Sequence, residues 1–181
     1  MSVNNISRAK TRPERSTPTP LATSSDLGEE AARAIAGALN PLIADAFALY
    51  VKTKNFHWHL FGPHFRDYHL LFDDQAEQIL GSIDDLAERV RKVGATTIRS
   101  ISHIAELQSI GDDNQAAVPA HAMLQYLVED NAFMAAQQRA AHTVCEALGD
   151  VATASLLETL IDQTERRVWF LFATLRDHDR V

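Results

Sequence analysis

A single cysteine, Cys145, among 181 residues excludes an internal disulfide and fits a reducing compartment. Set in an Ala-rich helical stretch, it reads as a structural thiol rather than a nucleophile. Long hydrophobic runs are also missing. The longest fall well short of the roughly 20 residues that span a bilayer, and no apolar core follows the first charges, so neither a membrane helix nor a secretory signal is expected. These absences predict a cytoplasmic location and no membrane partner. Strand-like alternation of useful length and internal repeats are absent as well. The most informative absence is a spacing: none of the ten glutamates is followed by histidine three residues later. The Glu-x-x-His pairs that build a two-metal site inside one four-helix bundle are therefore not available.

What is present is acid, unevenly placed. The formal net charge is −7, yet residues 1–24 carry Arg8, Lys10, Arg12 and Arg15 against Glu14, so the rest of the chain bears −10. An acidic body repels nucleic acid and attracts cations, whereas a basic tail can hold a polyanion at a distance. Residues 1–26 contain Pro13, Pro18 and Pro20, half of all the prolines, with many Ser and Thr. That composition predicts a disordered tail. Residues 177–181 form a short C-terminal tail.

Residues 27–176 read as one all-α domain. Ile35, Leu39, Leu42, Ile43, Ala46 and Leu49 recur at three- and four-residue spacing and predict a helix from about Leu27 to near Trp58, with Pro41 as a kink rather than a fresh start. Gly62-Pro63 breaks the pattern before a second helix, from about His64 to Val93. Residues 94–118 form a long crossover with a short helix around Ile98, Ile101, Ile104 and Leu107. A third helix should run from Pro119 to Leu148 and a fourth from about Asp150 to Arg176, divided by Gly149. Four helices with one long crossover between the second and third, carrying a short extra helix, describe a ferritin-like bundle.

The chemistry concentrates in the stretch HWHLFGPHFRDYHLLFDDQAEQILGSIDDLAER, residues 57–89. His69 with Asp73, and Asp84 with Glu88, are four residues apart, so each pair projects from one helix face about one turn apart. Asp73 and Asp84 are separated by about 16 Å along a helix axis, against metal-ligand bonds of roughly 2 Å. One helix cannot bring both pairs to one ion. Two copies crossing antiparallel about a two-fold axis near Gln78 and Ile79 can, because the 69/73 pair of one copy then faces the 84/88 pair of the other. Such a dimer carries two identical sites about 22 Å apart, and Gly81 and Ser82 are small enough for close approach. With His57, the set offers two imidazoles and three carboxylates. This is a softer set than Ca²⁺ or Mg²⁺ prefers and lacks the thiolates of structural zinc, so iron fits best and zinc is a competing ion.

The stretch from Lys54 to Arg89 resembles the Dps miniferritins, the DNA-protection-during-starvation family. His57-Trp58, Gly62, Phe65, His69, Phe72-Asp73, Asp84 and Ala87-Glu88-Arg89 fall where that family's motif places them, and Trp169-Phe170 is similar to its final helix. The resemblance covers roughly residues 30–175. It implies that His57, His69 and Asp73 from one subunit and Asp84 and Glu88 from its partner bind and oxidise Fe²⁺, preferentially with hydrogen peroxide. It also implies a hollow dodecamer that stores ferric mineral, and a Trp58 beside the iron that supplies an electron and quenches radicals; a plain buried aromatic at the helix end is the other reading of Trp58. Glu146 and Asp150 fall where the family lines its entry pores, although Asp150 after Gly149 is also explained as a helix cap.

Other histidines and acids invite blander readings. His59 and His64 lack matched partners and are expected at the surface or site mouth, His103, His121, His142 and His178 support no role, and Asp74, Glu77 and Asp85 read as a solvated face. The competing function is nonspecific binding and condensation of nucleoid DNA through the basic tail, with the metal site degenerate or filled by zinc. No recognition helix, aromatic platform or zinc finger offers sequence-specific readout.

Overall fold

The computed structural model describes residue 21 and residues 23–176. Its helices are α1 Glu29–His59, α2 Phe65–Lys92, α3 Ile101–Leu107, α4 Ala120–Ala147 and α5 Val151–Leu175, and no strand occurs among the described residues. The expected tails, residues 1–26 and 177–181, fall outside the described residues except for 21 and 23–26.

Helix α1 runs unbroken through Pro41. Proline removes one amide donor and crowds the carbonyl four residues back, which usually ends a helix. Here Leu39, Leu42 and Ile43, each 2% exposed or less, lock the turns on either side into the core. Just before the proline, Asn40 Nδ2 donates to the Thr96 carbonyl at 3.1 Å, tying this turn to the crossover.

The helices pair as two hairpins, α1 with α2 and α4 with α5; α1 packs across α4, while α2 and α5 meet only lightly. Phe56, Phe72, Leu49, Ile79, Leu86, Met123, Leu127 and Leu157 fill the space between hairpins, all fully buried. Each such side chain contributes roughly 1.5–3 kcal/mol on leaving water, so the shared core sets the register of the helices that carry the candidate ligands. The crossover is pinned from below: buried Asp45 on α1 accepts from the Ser109 and Ile110 amides at 2.5 and 2.9 Å.

Although its uninterrupted apolar runs are short, as expected, α1 is apolar on average. Within α1 an 18-residue window reaches a mean hydropathy of 1.5, enough by length and composition to cross a bilayer. Isolated polar residues such as Asn40 and Asp45 interrupt the apolar runs without lowering the average much. The burial of 56% of that window inside the bundle accounts for its apolarity.

At the far end of α2 the chain turns at Gly94, whose φ of +96° suits glycine, and a Cβ there would lie 2.9 Å from the Thr23 carbonyl oxygen. Arg91 Nη2 donates to the Leu21 carbonyl at 2.5 Å. The N-terminal segment therefore enters the bundle against the C-terminal end of α2.

Candidate metal centre

The first half-site forms where α1 ends and α2 begins. Gly62, at φ +115°, reverses the chain, and its carbonyl accepts from the Phe65 amide at 3.1 Å to start α2. This tight reversal lays the last turn of α1 against the first turns of α2. His57 Nδ1 then sits 2.8 Å from the His69 carbonyl, and His69 Nδ1 sits 3.0 Å from the His57 carbonyl. A carbonyl only accepts, so Nδ1 carries a proton in both rings, which turns Nε2 of each toward any metal ligation. The rings stack at 3.7 Å with 20° between planes, and Phe65 stacks on the other side of His69 at 5.0 Å. Orientation and tautomer of both histidines are thus fixed by backbone and packing.

Asp73 lies one turn beyond His69. Its Oδ1 is 3.8 Å from His57 Nε2, a separation that two ligand atoms each roughly 2 Å from one ion can span. Lys54 Nζ lies 2.5 Å from the same oxygen and holds the Asp73 carboxyl below its usual range, the hydrogen bond from Lys54 being the main cause. The ammonium also approaches the Trp58 ring, at 5.8 Å from its centroid. Trp58 is 63% exposed. That corrects the reading of it as a buried aromatic: at the last turn of α1 it projects away from the core.

The second half-site, Asp84 and Glu88, is exposed on the same continuous helix. Lys92 Nζ bonds Glu88 at 2.7 Å and holds its carboxyl below the ordinary value. Arg89, beside Glu88, points the other way: Nε donates to Thr153 Oγ1 at 3.0 Å and Nη2 to both Asp150 oxygens at 2.9 and 3.1 Å. This clamp fixes the C-terminal half of α2 against the start of α5. Among the described residues, no group of three or more His, Cys, Asp or Glu side chains in the single chain could hold a metal ion. Lys54 covers the oxygen that would join the imidazoles, and the remaining carboxylates lie too far along the helix.

At the expected crossing the register midpoint falls between Gln78, which is exposed, and Ile79, which is buried, with Glu77, Leu80 and Gly81 exposed beside them. Nothing lies within 4 Å of a Cβ built on Gly81, so that surface is open in the single chain.

Other sequence candidates separate cleanly. His59 is exposed and its Nδ1 contacts the Asn55 carbonyl at 2.9 Å. His64 is exposed and tilts against Tyr68. Asp150 caps α5, accepting from the Thr153 amide at 3.1 Å. Glu146 is exposed and lies 3.4 Å from His142 Nδ1. Cys145 is fully buried and burial pushes its thiol up to about 11, which suits an inert thiol. Sequence reasoning overlooked Lys54 and Lys92. Glu88 and Lys92 show the helical ion-pair spacing of four, whereas the Lys54 contact crosses helices and left no signal beyond proximity to His57.

A helical hairpin pair with a long crossover and a His/carboxylate half-site at the α1–α2 end defines a ferritin-like protein, and the family described as Ferritin-like domain matches residues 36–181. The DNA protection during starvation protein of Brevibacillus brevis is 33% identical over 78% of this chain and 94% of its own length. Among solved structures, a Dps protein from Bacillus brevis superposes with TM-score 0.78 at 32% identity, covering 82% of this chain and 99% of the other. The Dps protein of Vibrio cholerae O1, described as a member of a broad superfamily of ferritin-like diiron-carboxylate proteins, gives TM-score 0.79 at 26% identity over 90% of this chain and 99% of its own. The chain belongs to the Dps family.

Proposed function

We propose that this protein is a ferroxidase and iron-storage miniferritin: it oxidises Fe²⁺ at sites completed between two subunits, stores the ferric product inside a shell, and so protects DNA from oxidative damage. The reciprocal His57–His69 clamp carries this reading. It spends both Nδ1 protons on backbone carbonyls and leaves both Nε2 atoms for a metal, with Asp73 beside them. A structural role for two stacked histidines would not require that both rings keep the same nitrogen free.

Pairing α2 of two copies antiparallel about a two-fold near Gln78 and Ile79 brings Asp84 and Glu88 of one copy to the His57, His69 and Asp73 of the other. Fe²⁺, the substrate, would be held by nitrogen and carboxylate ligands that also suit Fe³⁺. With hydrogen peroxide as the preferred oxidant, two Fe²⁺ each lose one electron, the O–O bond breaks, and two protons complete two waters, so no hydroxyl radical is released. Exposed Trp58 stands at the site margin, placed to give up an electron when only one iron is bound. Assembly of dimers into a dodecamer, entry of iron past exposed Glu146 rather than past Asp150, whose buried carboxylate is taken by Arg89 and Thr153, cytoplasmic location, and contact with nucleoid DNA through the basic tail belong to the same proposal, as does zinc as an inhibitor.

The deciding experiment is stopped-flow Fe²⁺ oxidation with peroxide and with oxygen. Combined Asp84→Ala and Glu88→Ala should abolish the fast phase, as should combined His69→Ala and Asp73→Ala. Mixed dimers of the two variants should regain one intact centre. Unchanged rates in the first variant would refute the assignment, and no rescue despite demonstrated subunit exchange would refute the shared site.

A further inference from the structure

Where α2 and α5 meet lightly, they leave a groove of about 690 Å³ with walls of opposite charge. The α2 wall presents Asp67, Asp74 and Glu77, and the α5 wall presents Arg166 and Arg167, with Gln75 between them. Asp74 follows Asp73 directly but projects about 100° round the helix, so the groove is distinct from the candidate iron half-sites.

Two features of its floor lack counterparts. Arg167 is 5% exposed, yet it is held by neutral groups: Nε donates to Asn131 Oδ1 and Nη2 to Thr164 Oγ1, both at 2.8 Å. Among the described residues no carboxylate pairs with its charge. A buried cation with only neutral partners is costly. Consistent with that, burial pushes Arg167 down to about 10. Gln75, 2% exposed, donates from Nε2 to the Arg167 carbonyl at 3.3 Å, which fixes the amide orientation and leaves Oε1 buried with no partner among the described residues. A donor that lacks an anion and an acceptor that lacks a donor thus line one groove.

We propose that this groove binds a protonated oxyanion, inorganic phosphate, with its anionic oxygens on Arg167 and Arg166 and its P–OH donated to Gln75 Oε1. One water can bridge a donor and an acceptor, but water brings no charge to Arg167 and fills a small part of the space. Exposed Arg166, its guanidinium 5.2 Å from the Phe170 ring, is the second cation at the mouth. The acidic α2 wall selects for protonation: a fully ionised dianion meets three carboxylates, whereas a protonated oxyanion carries less charge and supplies the proton Gln75 needs. Sulfate at neutral pH and a nucleic-acid phosphodiester both lack that proton, so both should be rejected. The proposal does not depend on the ferroxidase reading.

Calorimetric titration of iron-free, full-length protein with inorganic phosphate tests it, with sulfate and a short single-stranded oligonucleotide as controls. Saturable phosphate binding about tenfold or more tighter than sulfate is expected, since one unsatisfied buried acceptor and one charge-assisted bond separate the two ligands. The oligonucleotide should not displace phosphate. Arg166→Gln should weaken binding, and Gln75→Leu should bring phosphate down to the sulfate level. If Gln75→Leu fails to fold by circular dichroism, the near-isosteric Gln75→Met, which also lacks the acceptor, should bring phosphate down to the sulfate level. No saturable binding to the folded wild type, equal affinity for sulfate, displacement by the oligonucleotide, or retained preference in the folded Gln75 variant would each overturn the proposal.

Discussion

Lys54 Nζ lies 2.5 Å from Asp73 Oδ1, the oxygen that also approaches His57 Nε2. The ammonium stands where a metal cation would draw on the same carboxylate, so metal entry has to displace it. Lys54→Met keeps most of the stem and removes the charge. Titration with Co²⁺, a redox-quiet reporter, should show tighter binding by about two- to fivefold, the range expected for release of one partly exposed ion pair. The Asp73 carboxyl should at the same time rise toward its usual value, because the Lys54 bond is the main cause of its depression. Weaker Co²⁺ binding would mean that Lys54 positions Asp73 rather than competes for it.

The bundle was largely legible because its signals are local. Apolar spacing and the breaks at Gly62 and Gly149 put the long helices within two residues of their observed ends. The 69/73 and 84/88 spacings could be read for the same reason: four residues on a helix fix a face without tertiary knowledge. Contacts that cross elements left no such trace. The exchange of imidazole-to-carbonyl bonds between His57 and His69 depends on how Gly62 folds α2 back on α1. The set Gln75, Asn131, Thr164 and Arg167 draws on three helices, and nothing in the order of residues links them. Of the two readings of Trp58, the buried aromatic failed for a related reason: helix-end position alone does not reveal on which side of the last turn a side chain leaves.

Arg89 and Asp150 make stability depend on acid. Burial pushes the Asp150 carboxyl up, but bonds from Thr153 and the Arg89 guanidinium outweigh it and hold the group below its ordinary value of 3.8. A depressed folded value means that the unfolded chain binds the proton first on acidification. The contribution is therefore complete well above 3.8 and is lost as pH falls through the folded value. Arg89→Leu should cost about 2–3 kcal/mol at neutral pH by leaving a buried carboxylate unpaired. Denaturant unfolding at fixed protein concentration should also show a shallower loss of stability below about pH 4 than in the wild type. An unchanged acid slope would assign the pH dependence to other carboxylates.

Asp45 predicts a separable effect on the crossover. Its carboxylate takes two backbone amides, Ser109 and Ile110, that have no helix to join. Asp45→Ala should orphan both and cost about 2–3 kcal/mol. Hydrogen exchange should speed first at residues 108–111 while the four long helices stay protected. Uniform loss of protection across α1 would show instead that Asp45 supports the helix itself.

The basic tail gives the prediction on which the DNA reading turns. Arg8, Lys10, Arg12 and Arg15 precede a chain that enters the bundle beside Arg91 and Gly94, at the C-terminal end of α2. The rest of the chain carries a net −10 and opposes close approach of phosphates. Any affinity for duplex DNA should therefore reside in the tail, scale with the number of tails per assembly, and fall steeply with salt, by a logarithmic slope of about −0.9 per phosphate neutralised. Gel shifts of the full-length protein and of a variant beginning at Asp26, compared at several salt concentrations, should show retardation only for the former. The variant should match the full-length protein in the proposed Fe²⁺ oxidation, because no candidate ligand lies before His57. Equal retardation of both proteins would move the contact onto the bundle surface and remove the tail from the function.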